Sequence, residues 1–354
     1  MADSVIRRNA TFHWHYECGL MHRALEQVGY KTGDTKYYDY IKRDVDRLVS
    51  ADGHIKTYSV QEYNLDQINP GRILFPLYRA TGDERYKKAA TLLRQQLEGQ
   101  PRTSEGGFWH KKIYPYQMWL DGIYMASPFY SEFGQMFGEP AVVDDVALQI
   151  TLIGKHTRDP QTGLLYHAWD ERRQQGWANP ETGCSPHFWS RAMGWYAMAI
   201  VDVLDYFPQG HSQRGDILAI FERAIIALAN VQDPSTGLWY QVLDQGGREG
   251  NYLEASGSCM FVYSIAKAVR LGYLAKTYLD MARKGYQGIL NHLIRVDDQG
   301  LVNLERICSV AGLGGNPYRD GSYKYYVSEK AVTNDYKGVG SFILASLEME
   351  HPGQ

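Results

Sequence analysis

The chain has 354 residues, 44% of them hydrophobic and 22% charged, which is enough to bury a substantial core. Its 37 basic and 40 acidic residues nearly cancel, leaving a formal charge of −3 with no basic run or stripe. That balance argues against nucleic acid or an anionic membrane as a partner, and no apolar run is long enough to span a bilayer.

From the N-terminus, the stretch MADSVIRRNATFHWHYE lacks the apolar segment of a signal peptide. The four cysteines, Cys18, Cys184, Cys259 and Cys308, lie far apart in no metal-ligand spacing. Together these features point to a reducing compartment, the cytoplasm. His13, His15 and His22 are close in sequence, but helical geometry sends the first two to different sides and no carboxylate pattern accompanies them. A first helix is predicted over 18–31, ending at the phrase TGDTKYYDYI at 32–41. The phrase returns as TGDERYKKAA at 81–90, FGEPAVVDDV at 137–146 and LGYLAKTYLDM at 271–281, with a weaker copy, QRGDILAIFERA, at 213–224. Each copy offers a Gly to stop one helix and then an amphipathic run to start the next. The helices they close fall at 65–80, 119–137, 189–207 and 257–272, and a last one is predicted over 337–350. A second phrase follows the amphipathic runs, a Gly turn and then an alternating apolar segment: ADGHIKTY, SEGGFWHK, DPQTGLLYHAWD, DPSTGLWYQVLD and DDQGLVNLER.

Helix, short turn, helix and longer loop thus recur about every 50–75 residues, the mark of stacked supersecondary units. We expect an all-α fold, an (α/α)6 toroid of six helical hairpins, with the first helix pairing across the closure with the last. One ring of helices would face inward and the longer loops would gather at one mouth. An open solenoid that binds a peptide is the competing fold, but these loops carry His, Asp and Trp rather than repeat-consensus residues. No linker divides the chain, so one domain over 1–354 is expected, with the Gly-rich segment at 310–326 folded over the mouth.

Several polar residues fall where apolar ones belong. Asp66 opens a run rich in Ile, Leu and Phe, where capping a helix is the alternative role. Asp121 sits among Trp119, Leu120, Tyr124 and Met125; desolvation there would raise its pKa toward that of a general acid, with capping again the alternative. His110 and His167 occupy corresponding places in two copies of the loop phrase and would face the same mouth. Trp189 and Arg191 begin an inner helix, where Arg suits a carboxylate and Trp a sugar face. The wider aromatic content (27 Tyr, 8 Trp, 11 Phe), much of it in loops, fits sugar contact. Asp170 and Glu171 read as solvated loop carboxylates. Metalloprotease, P-loop, dinucleotide and nucleophile-elbow motifs are absent from the sequence.

The stretches NLDQINPGR at 64–72, YQMWLDGIYMASPFY at 116–130, YHAWDE at 166–171, WANPETGCSPHFWSRAMGWYAMA at 177–199 and YRDGSYKYYVSE at 318–329 resemble the unsaturated rhamnogalacturonyl hydrolases of glycoside hydrolase family 105. The resemblance runs from about residue 14 to the final helix, and family 88, the unsaturated glucuronyl hydrolases, is more distantly similar. One departure is Tyr336, where similar sequences often carry Pro before the Lys. The resemblance implies a general acid/base at Asp121 and an essential partner at Asp66. It implies substrate-binding roles for His167, Trp189 and Arg191, and for His110 and Trp119. It implies hydration of a Δ4,5-unsaturated galacturonyl unit at the non-reducing end of a lyase-generated pectin fragment, with no cofactor and no metal. The other readings are action on unsaturated glucuronyl fragments, or a non-catalytic sugar-binding toroid, and the expected state is a monomer or weak homo-oligomer.

Overall fold

The computed structural model describes residues 1–8 and 11–350; Asn9 and Ala10 and the last four residues, which fall within the expected 1–354 domain, lie outside the described residues. The chain alternates between an inner and an outer layer of helices. A short α1 (Ala2–Arg7) precedes inner helix α2 (Tyr16–Thr32), outer helix α3 (Thr35–Leu48), inner helix α4 (Leu74–Thr81) and outer helix α5 (Glu84–Gly99). The alternation continues through α6 (Leu120–Phe137), α7 (Val142–Thr157), α8 (Ser190–Val203), α9 (Arg214–Asn230), α10 (Ala255–Arg270) and α11 (Leu279–His292). After a short α12 (Tyr323–Ser328), the inner helix α13 (Tyr336–Met349) ends the described chain. Each packs on its inner neighbours in the order α2, α4 with its preceding turns, α6, α8, α10, α13, and α13 returns to α2.

Composition explains the layers. Every residue of α8 is buried, and apart from Ser190, Arg191 and Asp202 its side chains are apolar or aromatic, which makes it an inner rod. In α3, by contrast, burial follows Tyr37, Tyr40, Ile41, Asp44, Val45 and Leu48, one stripe at helical spacing. Inner helices pass to outer ones through left-handed glycines at Gly33, Gly82 and Gly138, as the first phrase predicts. The weak copy departs from this, because Gly215 lies inside α9 and caps nothing. The rod expected at 65–80 also differs: it begins as 3-10 turns over Leu65–Gln67 and Asn69–Ile73, and only then becomes α4. Pro70, with no N–H and a fixed φ, sits in the first turn of the second of these.

The closure is a correction to the expected pairing. The first inner helix makes its own hairpin with α3, and it meets α13 side by side rather than as a hairpin partner. Lys337 Nζ bonds Glu17 Oε1 at 2.6 Å at one end of this seam, and Lys31 Nζ donates to the Leu347 carbonyl at 2.8 Å at the other. On the outside, short α1 occupies the gap, with Asp3 bonded to Tyr37 of α3 and Ser4 Oγ accepting from the Val302 backbone N–H. Among the described residues the outer layer therefore has five long helices and one stub.

The loops that follow the outer helices all lead to N-termini of inner helices, so they gather at one mouth. Three small antiparallel ribbons stiffen them. These are β1 (Gln117–Trp119) with β2 (Ala168–Asp170), β3 (Ile294–Val296) with β4 (Val302–Leu304), and β5 (Ile307–Cys308) with β6 (Ala331–Val332). The segment at 310–326 does lie over the mouth, where Leu313 packs with Trp119, Ala168 and Trp177 in a cluster separate from the main core. Its end is helical rather than irregular, since α12 starts at Tyr323. Among the described residues, no helix is long and apolar enough to cross a membrane.

Candidate active site

The ribbon of β1 and β2 builds the centre of the mouth. It sets Trp119 opposite Ala168, and the Leu120 backbone N–H donates to the His167 carbonyl at 3.0 Å. This brings His167 against Asp121 in the first turn of α6. His167 Nε2 stands 3.2 Å from Asp121 Oδ2, although neither atom has an aligned hydrogen-bond partner among the described residues. His167 is fully buried, and its Nδ1 lies 2.8 Å from the Tyr326 hydroxyl. Burial pushes the Tyr326 phenol well up, so it stays protonated. A Tyr326 hydroxyl that donates to Nδ1 leaves the imidazole proton on Nε2, facing the carboxylate.

Capping accounts for neither aspartate. The residue before α6 is Trp119, which has no side-chain cap bond, and Asp121 lies inside the helix. Ahead of Asp66 the cap is Asn64, whose side chain accepts from the Asp66 backbone N–H at 3.0 Å. Asp66 itself is buried and bonds Lys111 Nζ at 2.5 Å, with His110 Nε2 3.4 Å away. Burial alone would push the Asp66 carboxyl up; Lys111 and His110 outweigh it, and the net position is below the ordinary carboxylate range. Burial holds His110 down at about 4, so at neutral pH its ring is uncharged and Lys111 is the cation that keeps Asp66 ionised.

His110, Trp119 and Tyr114 form a parallel stack, with centroids 4.8 Å and 5.0 Å apart and interplanar angles of 7°. His167 meets the edge of Trp119 at 5.2 Å, so both predicted histidines flank this indole. Gly122 lets these rings sit close: a Cβ there would stand 3.0 Å from His110 Nδ1 and 3.3 Å from Leu65 Cδ1, and the imidazole would have to shift slightly.

On the far side, Trp189 is the residue before α8, and its ring lies 4.7 Å from that of His167. Trp189 Nε1 donates to Gln241 at 3.1 Å, and the Arg191 guanidinium lies 4.8 Å from the Trp189 ring. Arg191 is buried, bonded through Nη1 to Ser256 Oγ at 3.3 Å and to the Cys308 carbonyl, while its Nε has no partner among the described residues. Among the described residues it makes no ion pair. A buried, unpaired guanidinium near the N-termini of parallel inner helices is a favourable place for a carboxylate.

All seven sequence-chosen residues thus come to the mouth. Lys111 and Tyr326 were missed, though both stand inside quoted phrases, beside His110 and within YRDGSYKYYVSE. The reading of Asp170 as solvated is overturned. It is buried, and its carboxylate accepts backbone N–H groups from Arg172, Gln174 and Gln175, which fixes the turn after β2. Its acceptor capacity is spent on the backbone. His22, one of the three N-terminal histidines, is tied to Asp44 at 2.9 Å between α2 and α3.

The sequence matches Glycosyl Hydrolase Family 88 over residues 2–352. It superposes on a family 105 glycoside hydrolase from C. acetobutylicum ATCC 824 with a TM-score of 0.97 at 48% identity, covering 99% of this chain and 98% of that one. The chain is a family 105 glycoside hydrolase. An unsaturated rhamnogalacturonyl hydrolase, YesR of Bacillus subtilis, is 26% identical over 330 residues, 91% of this chain and 88% of its own length. The unsaturated glucuronyl hydrolase of Bacillus sp. GL1 shares 15% identity with a TM-score of 0.67 over 96% of this chain and 87% of its own, a likeness of fold. Family 105 membership and the closed double ring together make this an (α/α)6 barrel enzyme.

Proposed function

We propose that this glycoside hydrolase releases a Δ4,5-unsaturated galacturonic acid from lyase-generated rhamnogalacturonan fragments by hydrating the double bond, with Asp121 as acid and then base. The observation that carries the reading is the pairing of Asp121 with His167 at the inner end of the mouth, beside an ionised Asp66. The similarity to the Bacillus subtilis rhamnogalacturonyl hydrolase supports the choice of sugar.

In this scheme Asp121, protonated, delivers its proton to C4 of the unsaturated ring. The π electrons form the new C4–H bond, and the positive charge left at C5 is shared with the ring oxygen. Water adds at C5 and returns a proton to the Asp121 carboxylate, so one residue serves both half-steps. The resulting hemiketal opens by breaking the bond between C5 and the ring oxygen. The hemiacetal left at C1 then expels the sugar behind it. An ordinary glycosidase needs two carboxylates across the anomeric centre, whereas here the second carboxylate has a different task. Held ionised by Lys111, Asp66 is suited to accept hydrogen bonds from the water or a ring hydroxyl. His167, kept in one tautomer by Tyr326, orients the Asp121 carboxylate. Trp119 and Trp189, both buried, pack against the His167 ring and frame the place where the sugar sits, and Arg191 offers charge to the uronate. The four cysteines are all free and buried, which supports a reducing compartment as the site of action.

The test follows ultraviolet absorbance of the conjugated double bond in lyase-digested rhamnogalacturonan. Wild-type protein abolishes it, and Asp121→Asn lowers kcat by about a thousandfold or more while KM changes little. Persisting absorbance with cleavage of saturated oligosaccharides would sink the hydration scheme. Preferential turnover of unsaturated glucuronyl fragments would move the substrate assignment to the other sugar.

A further inference from the structure

A cleft of about 630 Å3, within the range of small-molecule sites, is lined in part by Tyr114, whose ring stacks on Trp119. One wall is the segment that leads from Ile113 and Tyr114 through Gln117 into the Trp119–Asp121 turn. The other is the loop at 314–319, closed by paired backbone hydrogen bonds between Gly314 and Arg319 at 2.8 and 3.1 Å. Gln175 and Asn316 also line it, and the one charged side chain of the lining is that of Arg319.

Three observations mark this cleft as built for a ligand. Arg319 makes no ion pair among the described residues. Its Nε donates to the Gly314 carbonyl at 2.9 Å, and its Nη2 to Tyr114 Oη at 3.0 Å and the Leu313 carbonyl at 3.1 Å; among the described residues Nη1 has no acceptor. A guanidinium fixed by neutral acceptors keeps its full charge for an incoming anion. Second, Gln175, which also lines the cleft, lies beside Gly314, where a Cβ would stand 3.6 Å from its Oε1, and its amide is suited to a sugar hydroxyl. Third, Tyr114 is shared: its ring is the outermost layer of the stack that runs through Trp119 to His110 and Asp66, and its hydroxyl accepts from Arg319.

We propose that this cleft holds the part of the substrate that leaves, beyond the sugar next to the scissile bond, and that Arg319 pairs there with the carboxylate of an acidic sugar. The inference rests on the hydrolase reading above and deepens it: the preferred fragment is longer than a disaccharide and carries a second uronate. The Tyr114 ring, stacked on Trp119, stands between Arg319 and the catalytic residues, so the unsaturated uronate at Asp121 and a later uronate at Arg319 are read by separate groups. Both walls belong to loops, and the charge is supplied by a residue with no other ionic duty.

The experiment compares kcat/KM of the full chain on two purified lyase products. One is the unsaturated disaccharide, whose leaving sugar is neutral, and the other is the tetrasaccharide, whose leaving part contains a uronate. Wild-type protein prefers the tetrasaccharide by about tenfold, and added salt narrows the gap. Arg319→Gln removes that preference, mainly through KM. Because Arg319 also ties down its loop, Ile113→Glu provides a second probe. Ile113 is 73% exposed at the lip, and an acidic side chain there repels the same uronate without disturbing packing. It lowers kcat/KM on the tetrasaccharide several-fold and leaves the disaccharide within about twofold. Equal wild-type rates on both fragments, or equal losses on both in each variant, would overturn the inference. Failure to turn over either fragment would instead overturn the hydrolase reading on which it stands.

Discussion

At Asp66 two opposing effects meet, and their balance sets its charge. Burial favours the neutral acid, and Lys111 at 2.5 Å favours the anion more strongly. A carboxylate beside Asp121 can raise its proton affinity by like charge or hold water and hydroxyls. An ion-paired Asp66 has much of its field cancelled by Lys111, which favours the second. His110 makes a separate, testable claim. Its folded value of about 4 lies below the ordinary 6.5, so between these the unfolded chain binds more protons than the folded one. Stability therefore rises with pH across that window and falls as pH drops from 6.5 to 4, by roughly 3 kcal/mol in full. Urea midpoints from pH 7 to about pH 4 should show this slope, and His110→Gln should flatten it. An unchanged slope in the variant would place the responsible proton elsewhere.

At the scale of elements, polar residues join helices that apolar packing alone would leave free to slide. Asp202 of α8 accepts from Arg72 Nη1 at 2.8 Å, Lys267 Nζ at 2.8 Å and Tyr263 Oη at 2.6 Å. Arg72 lies in the 3-10 turn before α4, and Lys267 and Tyr263 lie on α10, so one carboxylate ties three inner rods together. Burial raises its proton affinity, but the two cations dominate and hold it far below the ordinary range. Replacing such a network with apolar residues can be harmless; removing one member is not, because the others stay buried and charged. Asp202→Asn should lower unfolding free energy by about 3–5 kcal/mol, read as a shift of the urea midpoint. A shift under about 1 kcal/mol would mean that water reaches these cations. None of these residues stood out in the sequence, since Asp202 in AMAIVDVL and Lys267 in IAKAVR read as isolated charges on apolar helices.

For the whole molecule, closure is the decisive contact. The ring is complete only if α13 lies against α2, and Gly340 lets it do so: a Cβ there would stand 2.7 Å from Leu20 Cγ. Gly340→Val should wedge this seam and destabilise the barrel by about 1–3 kcal/mol. Because Glu17 and Lys337 sit at the mouth end of the same seam, turnover should fall together with thermal midpoint. A variant with full stability and activity would show that the seam can open without consequence.

Periodicity of the helices, the stopping glycines and the loop phrases were all local, so the sequence by itself determined the alternating rods and the number of inner ones. Residue types and their places in the pattern likewise singled out Asp66, Asp121, His110, His167, Trp189 and Arg191, and the motif resemblance added Trp119. The partners of those residues depend on pairings across long separations. Tyr326 reaches His167 over 159 positions, and Lys337 reaches Glu17 over 320. Local pattern carries no information about which far segment will lie alongside, so the charge state of Asp66, the backbone role of Asp170 and the side-by-side seam between first and last helices were decided only by the tertiary structure.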